Sequence, residues 1–110
     1  MGSHAAIHWA HVLLLGPLLV AVGLGYAAAY PVAVLGLGLF ITLYHAYRGF
    51  TKWTSGQSGA WVNAIHALAV GPALIAEGSL ANPPRWIREV IMMFGFAAVG
   101  YHAYYIVNPY

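Results

Sequence analysis

Charge is nearly missing from this chain, and where it is missing decides the fold class. Six of 110 residues carry an ionic side chain, Arg48, Lys52, Glu77, Arg85, Arg88 and Glu89, and none lies within the first 47. A soluble domain clothes itself with ionic groups over roughly a quarter or more of its surface. A chain that is 5% charged and 62% hydrophobic has no means of doing so. Its apolar residues fall into four stretches, 5–25, 31–50, 60–78 and 85–107. Each approaches the ~20 residues with which a helix crosses a bilayer. Inside lipid the backbone must satisfy its own polar groups, which selects helices. The sequence therefore predicts an all-α, integral-membrane four-helix bundle: a single multi-pass domain over 1–110 with both termini on one side and the lipid bilayer as its partner. The net charge of +2 rests on too few groups to point to nucleic acid. The absence of cysteine excludes disulfides, thiolate metal sites and covalently attached haem.

Between the stretches lie short connectors. Residues 25–31 read as a tight turn and residues 49–59 as the most polar run of the chain. Residues 78–84 end one helix and start the next, with Asn82 as N-cap and proline in the first turn. Trp9, Trp53, Trp61 and Tyr105 fall near one set of helix ends, and Tyr26, Tyr30 and Trp86 near the other, as interfacial belts do. Arg48 and Lys52 balance Arg85 and Arg88 across the two faces, so charge sets no orientation. The first apolar stretch lacks a basic leader and has a counterpart later in the chain, so it reads as a retained span rather than a signal peptide. With Met1 removed, Gly2-Ser3-His4 would offer an amine, an amide and an imidazole to Cu(II) or Ni(II); a remnant of expression explains the same residues equally well.

Two phrases recur. His11, Gly16, Pro17 and Gly23 reappear 55 residues on as His66, Gly71, Pro72 and Gly78. Gly38, Tyr44, His45 and Tyr47 reappear 57 residues on as Gly95, Tyr101, His102 and Tyr104. The chain thus reads as two tandem two-helix repeats, 5–50 and 60–107, joined by a linker at 51–59. A pseudo-two-fold axis along the membrane normal is implied. His11 and His66 sit about six residues into rising helices, and His45 and His102 about five from the ends of descending ones. At ~1.5 Å per residue all four lie roughly 8–10 Å inside the terminal face, as one layer.

Histidine inside a membrane is costly, and four at one depth point to function. Helical phase sets Leu15, Leu18 and Val22 on the face of His11, and Val70, Ala73 and Glu77 on that of His66. Gly38 and Gly95 each lie seven residues before a histidine on its own face. Small residues there either leave a slot for a flat macrocycle or let helices pack closely. Tyr44 and Tyr101 adjoin the descending histidines and are placed to orient them or to hydrogen-bond a ligand, unless they only anchor the helix ends. Pro17 and Pro72 each remove a helical donor, from the carbonyls of Leu13 and Leu68. Glu77 either lines a polar path or pairs with Arg85 or Arg88. His4, His8 and His11 share a helix face, but His4 and His8 have no counterpart in the second repeat, and His4 reads as solvated.

Three functions fit this pattern. The first is a non-covalent tetrapyrrole binder, with haem b held by His11 and His66 or by His45 and His102, serving electron transfer or haem handling; a chlorin held by one histidine is a variant. The second uses the same four histidines for a Cu, Zn or Fe ion, or as a gate in a proton or transition-metal path. The third is a membrane assembly subunit whose histidines only bond between helices. A homo-oligomer sharing sites accommodates any of them. No Ser-His-Asp set, phosphate loop or carboxylate pair supports catalysis. The phrases His-x4-Gly-Pro and Tyr-His-Ala-Tyr, with the entry Pro84-Arg85-Trp86, resemble those of small duplicated four-span proteins associated with large DNA viruses of algae and with aquatic metagenomes. The resemblance spans nearly the whole chain; it implies the architecture and brings no activity.

Overall fold

The computed structural model describes residues 3–109. Gly2, which opens the copper or nickel motif, lies outside them with Met1 and Tyr110. Among the described residues there is no strand. The described residues form four helices: α1 (residues 3–23), α2 (Pro31–Thr54), α3 (Ala60–Ser79) and α4 (Arg85–Val107). All four are long and apolar enough to cross a membrane, which is consistent with a multi-pass membrane protein.

The helix ends follow from local chemistry. Helix α1 stops where Gly25 takes φ +92°, a conformation that glycine adopts without a steric penalty. The Gly25 N–H donates to the Val22 carbonyl (3.0 Å) and the Tyr26 N–H to that of Ala21 (3.1 Å), which closes a Schellman turn. Helix α2 closes likewise at Gly56, with the Gln57 N–H donating to the Lys52 carbonyl at 2.9 Å. This helix takes in residues 51–54, which the sequence assigns to the linker. There the hydroxyls of Thr51, Thr54 and Ser55 donate back to the carbonyls of Arg48, Phe50 and Thr51 at 2.6–3.0 Å, so these polar side chains bond to their own helix. Helix α4 starts at Arg85, beyond both prolines, so Asn82 is not its cap. The Ile87 N–H instead bonds the Pro84 carbonyl at 3.1 Å.

The helices associate as two compact units, each drawing one helix from each half of the sequence. One holds α1 and α4 from Arg88 onward, and the other holds α2 and α3. Within the first, α1 and α4 run antiparallel with their backbones nearly touching. A Cβ placed on Gly16 would lie 2.5 Å from Val99 Cγ2, and one on Gly95 would lie 2.7 Å from the Gly16 carbonyl oxygen. Leu19, Val22 and Ile91 are buried in this unit. Within the second, the same relation holds between α3 and α2. A Cβ on Gly38 would lie 2.7 Å from the Ile75 nitrogen and 3.0 Å from the Gly71 carbonyl oxygen. Val34, Val70 and Leu74 are buried there. Glycine serves here as a close-approach residue, because any side chain would drive the two backbones apart.

On the faces that helical phase assigns to His11 and His66, Val22, Val70 and Glu77 are buried. Leu18 is 39% exposed with Leu19 buried beside it, and Ala73 is half-buried with Leu74 fully buried beside it. Each of these helices contains a π-helical turn, His11–Leu15 in α1 and His66–Val70 in α3.

Candidate functional site

The motif His-x4-Gly-Pro encodes that π turn. The N–H of Gly16 donates to the carbonyl of His11, five residues back, and the N–H of Gly71 does the same for His66. The next residue is proline, which has no N–H to continue the α pattern. The histidine thus starts the wide turn, glycine closes it, and proline keeps it from relaxing. Wide turns of this kind often mark functional positions in helices.

Each of these histidines is locked by its own helix. His11 Nδ1–H donates to the Ile7 carbonyl and His66 Nδ1–H to the Val62 carbonyl, both at 2.7 Å. A carbonyl only accepts, so Nδ1 carries a proton, and in the neutral ring the lone pair is on Nε2. Both rings are half-buried.

The descending histidines meet them face to face. His102 stacks on His11 with ring centroids 4.1 Å apart and planes 25° off parallel. His45 stacks on His66 at 4.3 Å and 26°. His45 Nδ1–H donates to Asn63 Oδ1 at 2.8 Å. His102 Nδ1 shares a hydrogen bond with His8 Nδ1 at 2.7 Å, one ring donating and the other accepting. Tyr44 stands edge-on to His45 (5.2 Å, 85°) and Tyr101 edge-on to His102 (5.1 Å, 87°). Tyr105 stacks on His8 at 5.5 Å.

The four expected histidines are thus gathered as two stacked pairs, one in each compact unit, each with its tyrosine alongside. The slot expected over Gly38 and Gly95 is filled: the facing helix backbone occupies it, so these glycines serve close packing. Rings stacked at 4.1 and 4.3 Å leave no room for a macrocycle between the members of a pair. Among the described residues no group of three or more His, Cys, Asp or Glu is placed to hold a metal ion. Glu77 is buried in α3, on the stripe predicted for it.

Two site residues escape a reading for repeated histidines. His8 and Asn63 are 7% and 6% exposed, and each bonds the Nδ1 of the descending histidine in its unit. They lie 55 residues apart, the same offset that relates His11 to His66. His8 therefore does have a counterpart, which is Asn63. An asparagine inside an apolar run was the available signal. Compared with protein-family models, with curated proteins and with solved structures, the chain matches none.

Proposed function

We propose that this is a duplicated membrane protein in which each compact unit binds a tetrapyrrole, haem b in the first instance, through Nε2 of its own histidine, His11 in one unit and His66 in the other. The observation that carries the proposal is the bond from Nδ1–H to the carbonyl four residues back, present in both histidines at 2.7 Å. An imidazole that ligates a metal through one nitrogen commonly donates from the other to a carbonyl, which fixes the tautomer and raises the basicity of the ligand. His11 and His66 are also only half-buried, as is His45, so their rings offer an approach that His102, 5% exposed, does not. Duplication is supported by partners that recur at the repeat offset: stack for stack, carbonyl for carbonyl and glycine for glycine. When bound, haem b supplies one-electron chemistry. The protein's part is to present a neutral imidazole and to hold its ring plane by stacking.

Protein purified from membranes and titrated with haem is expected to develop a Soret band that moves on reduction. His11→Ala and His66→Ala should each remove a large share of it, while Tyr44→Phe and Tyr101→Phe should alter it little. A preparation that stays colourless through the titration would sink the proposal.

A second reading, a proton or transition-metal path, draws on the His8–His102 bond, since a proton can pass between two directly bonded imidazoles. Flux into liposomes that rises between about pH 8 and pH 5 and disappears in His102→Leu would favour it. Flat flux across that range would remove it.

A further inference from the structure

We infer that His8 and Asn63 are the orienting residues of the two histidine pairs, and that His8 performs in one unit the acceptor's part that Asn63 performs in the other. The four stacked imidazoles then share one tautomer, with the proton on Nδ1 and the lone pair on Nε2, and His8 alone holds the opposite one. The assignment concerns the imidazoles themselves and stands whichever ligand they meet.

The argument begins in the unit of α2 and α3, where chemistry leaves one choice. Asn63 Oδ1 is an acceptor only, so the hydrogen bond at 2.8 Å places the proton on His45 Nδ1. His66 is fixed the same way by the Val62 carbonyl. In the unit of α1 and α4 the Ile7 carbonyl fixes His11. Only the His8–His102 bond is open, because either ring can donate across the 2.7 Å between their Nδ1 atoms.

Position decides it. His8 is to His11 what Asn63 is to His66: three residues earlier on the same helix, buried, and bonded to the Nδ1 of the histidine that stacks on its neighbour. An imidazole with its proton on Nε2 presents at Nδ1 a bare lone pair, the functional equivalent of an amide oxygen. His8 in that form accepts from His102, and the two units become chemically alike although one uses histidine and the other asparagine. The reverse direction would leave His102 as the one stacked ring with its proton on Nε2, unable to act there as a base or a metal ligand.

The test is nitrogen NMR of the full chain labelled with ¹⁵N-histidine. It is run at about pH 8.5, well above the ordinary imidazole pKa of ~6.5, so that the rings are neutral. Protonated and lone-pair nitrogens are well separated in shift, and each ring is assigned by its loss in a single-histidine variant. Wild-type protein should show Nδ1–H for His11, His45, His66 and His102, and Nε2–H for His8. His8→Asn should leave the His102 signal unchanged, because it installs the acceptor of the other unit. His8→Leu should replace that signal by a mixture of both tautomers. Asn63→His and Asn63→Leu should do the same for His45. Should a leucine variant fail to fold, the wild-type assignment and the His8→Asn spectrum still decide. Nε2–H on His102 in the wild type, or a His102 signal in His8→Asn that is as mixed as in His8→Leu, would overturn the inference. Neither outcome bears on the haem titration, which is read from a different signal.

Discussion

A single buried amide shows how much one polar side chain can do within an apolar helix. Asn63 is 6% exposed, and its oxygen takes the proton of His45. Hydrogen bonds between helices in a membrane contribute modestly, about 0.6 kcal/mol on average and up to ~1.7. Asn63→Leu is therefore expected to lower the unfolding free energy in detergent by roughly 1 kcal/mol. Asn63→His, which preserves an acceptor, should stay close to wild type. A thermal melt followed by circular dichroism compares them, and equal losses in both would mean that the amide acts by shape rather than as an acceptor. Residue chemistry also explains what the sequence disclosed about the site. The four histidines were legible because a titratable ring in an apolar run is expensive, and expensive residues recur only when something holds them. His8 and Asn63 were not legible, since the property they share is an acceptor lone pair and a search for repeated identities passes over it.

At the scale of the helix, two glycines two residues apart separate packing from propensity. Gly38 faces α3, and a Cβ there would lie within 3.0 Å of the Ile75 nitrogen and of Leu74 Cβ. Gly36 has nothing within 4 Å of the same position. Gly38→Ala must push the two backbones apart, at a cost of about 1–3 kcal/mol as for other overpacked sites. Gly36→Ala meets no neighbour and should be neutral, or stabilising by up to ~1 kcal/mol through helix propensity. Similar melting temperatures for the two variants would contradict the close approach of α2 and α3. The helices themselves were legible from length and apolarity, and all four of their starts, near 5, 31, 60 and 85, were close. The π turns were not, because a 3.6-residue period has no place for their extra residue. Proline marked the spot: the sequence reading has it remove the donor from the carbonyls of Leu13 and Leu68, and the structure adds that the glycine before it bonds the histidine carbonyl five residues back.

For the whole molecule, the tandem repeat hides a choice that pattern alone does not make. Each compact unit joins a helix of the His-Gly-Pro type to one of the Gly-Tyr-His type, and each half of the sequence contains one of each. The stripes match equally well within a half or across halves, so periodicity has nothing with which to prefer α1 beside α4 and α2 beside α3. What the repeat does constrain is the count of spans, and that count can be tested in a membrane. The chain has no cysteine, so a single one introduced at a chosen site reports on that site alone. Ser55 and Gln57 lie in the connector after α2, Tyr26 in the one after α1, and Asn82 in the one before α4. If all four helices cross, cysteines at 57 and 108 in intact vesicles should react alike with a membrane-impermeant maleimide. Cysteines at 26 and 82 should react only after the vesicles are opened, or the reverse if the protein inserts the other way up. The basic residues do not bias the outcome, because Arg48 and Lys52 offset Arg85 and Arg88 across the two faces. Labelling of all four positions from one side would show that the helices lie along a surface or pack within an assembly without crossing. In that case histidine would lose the cost of burial in lipid that makes four of them telling.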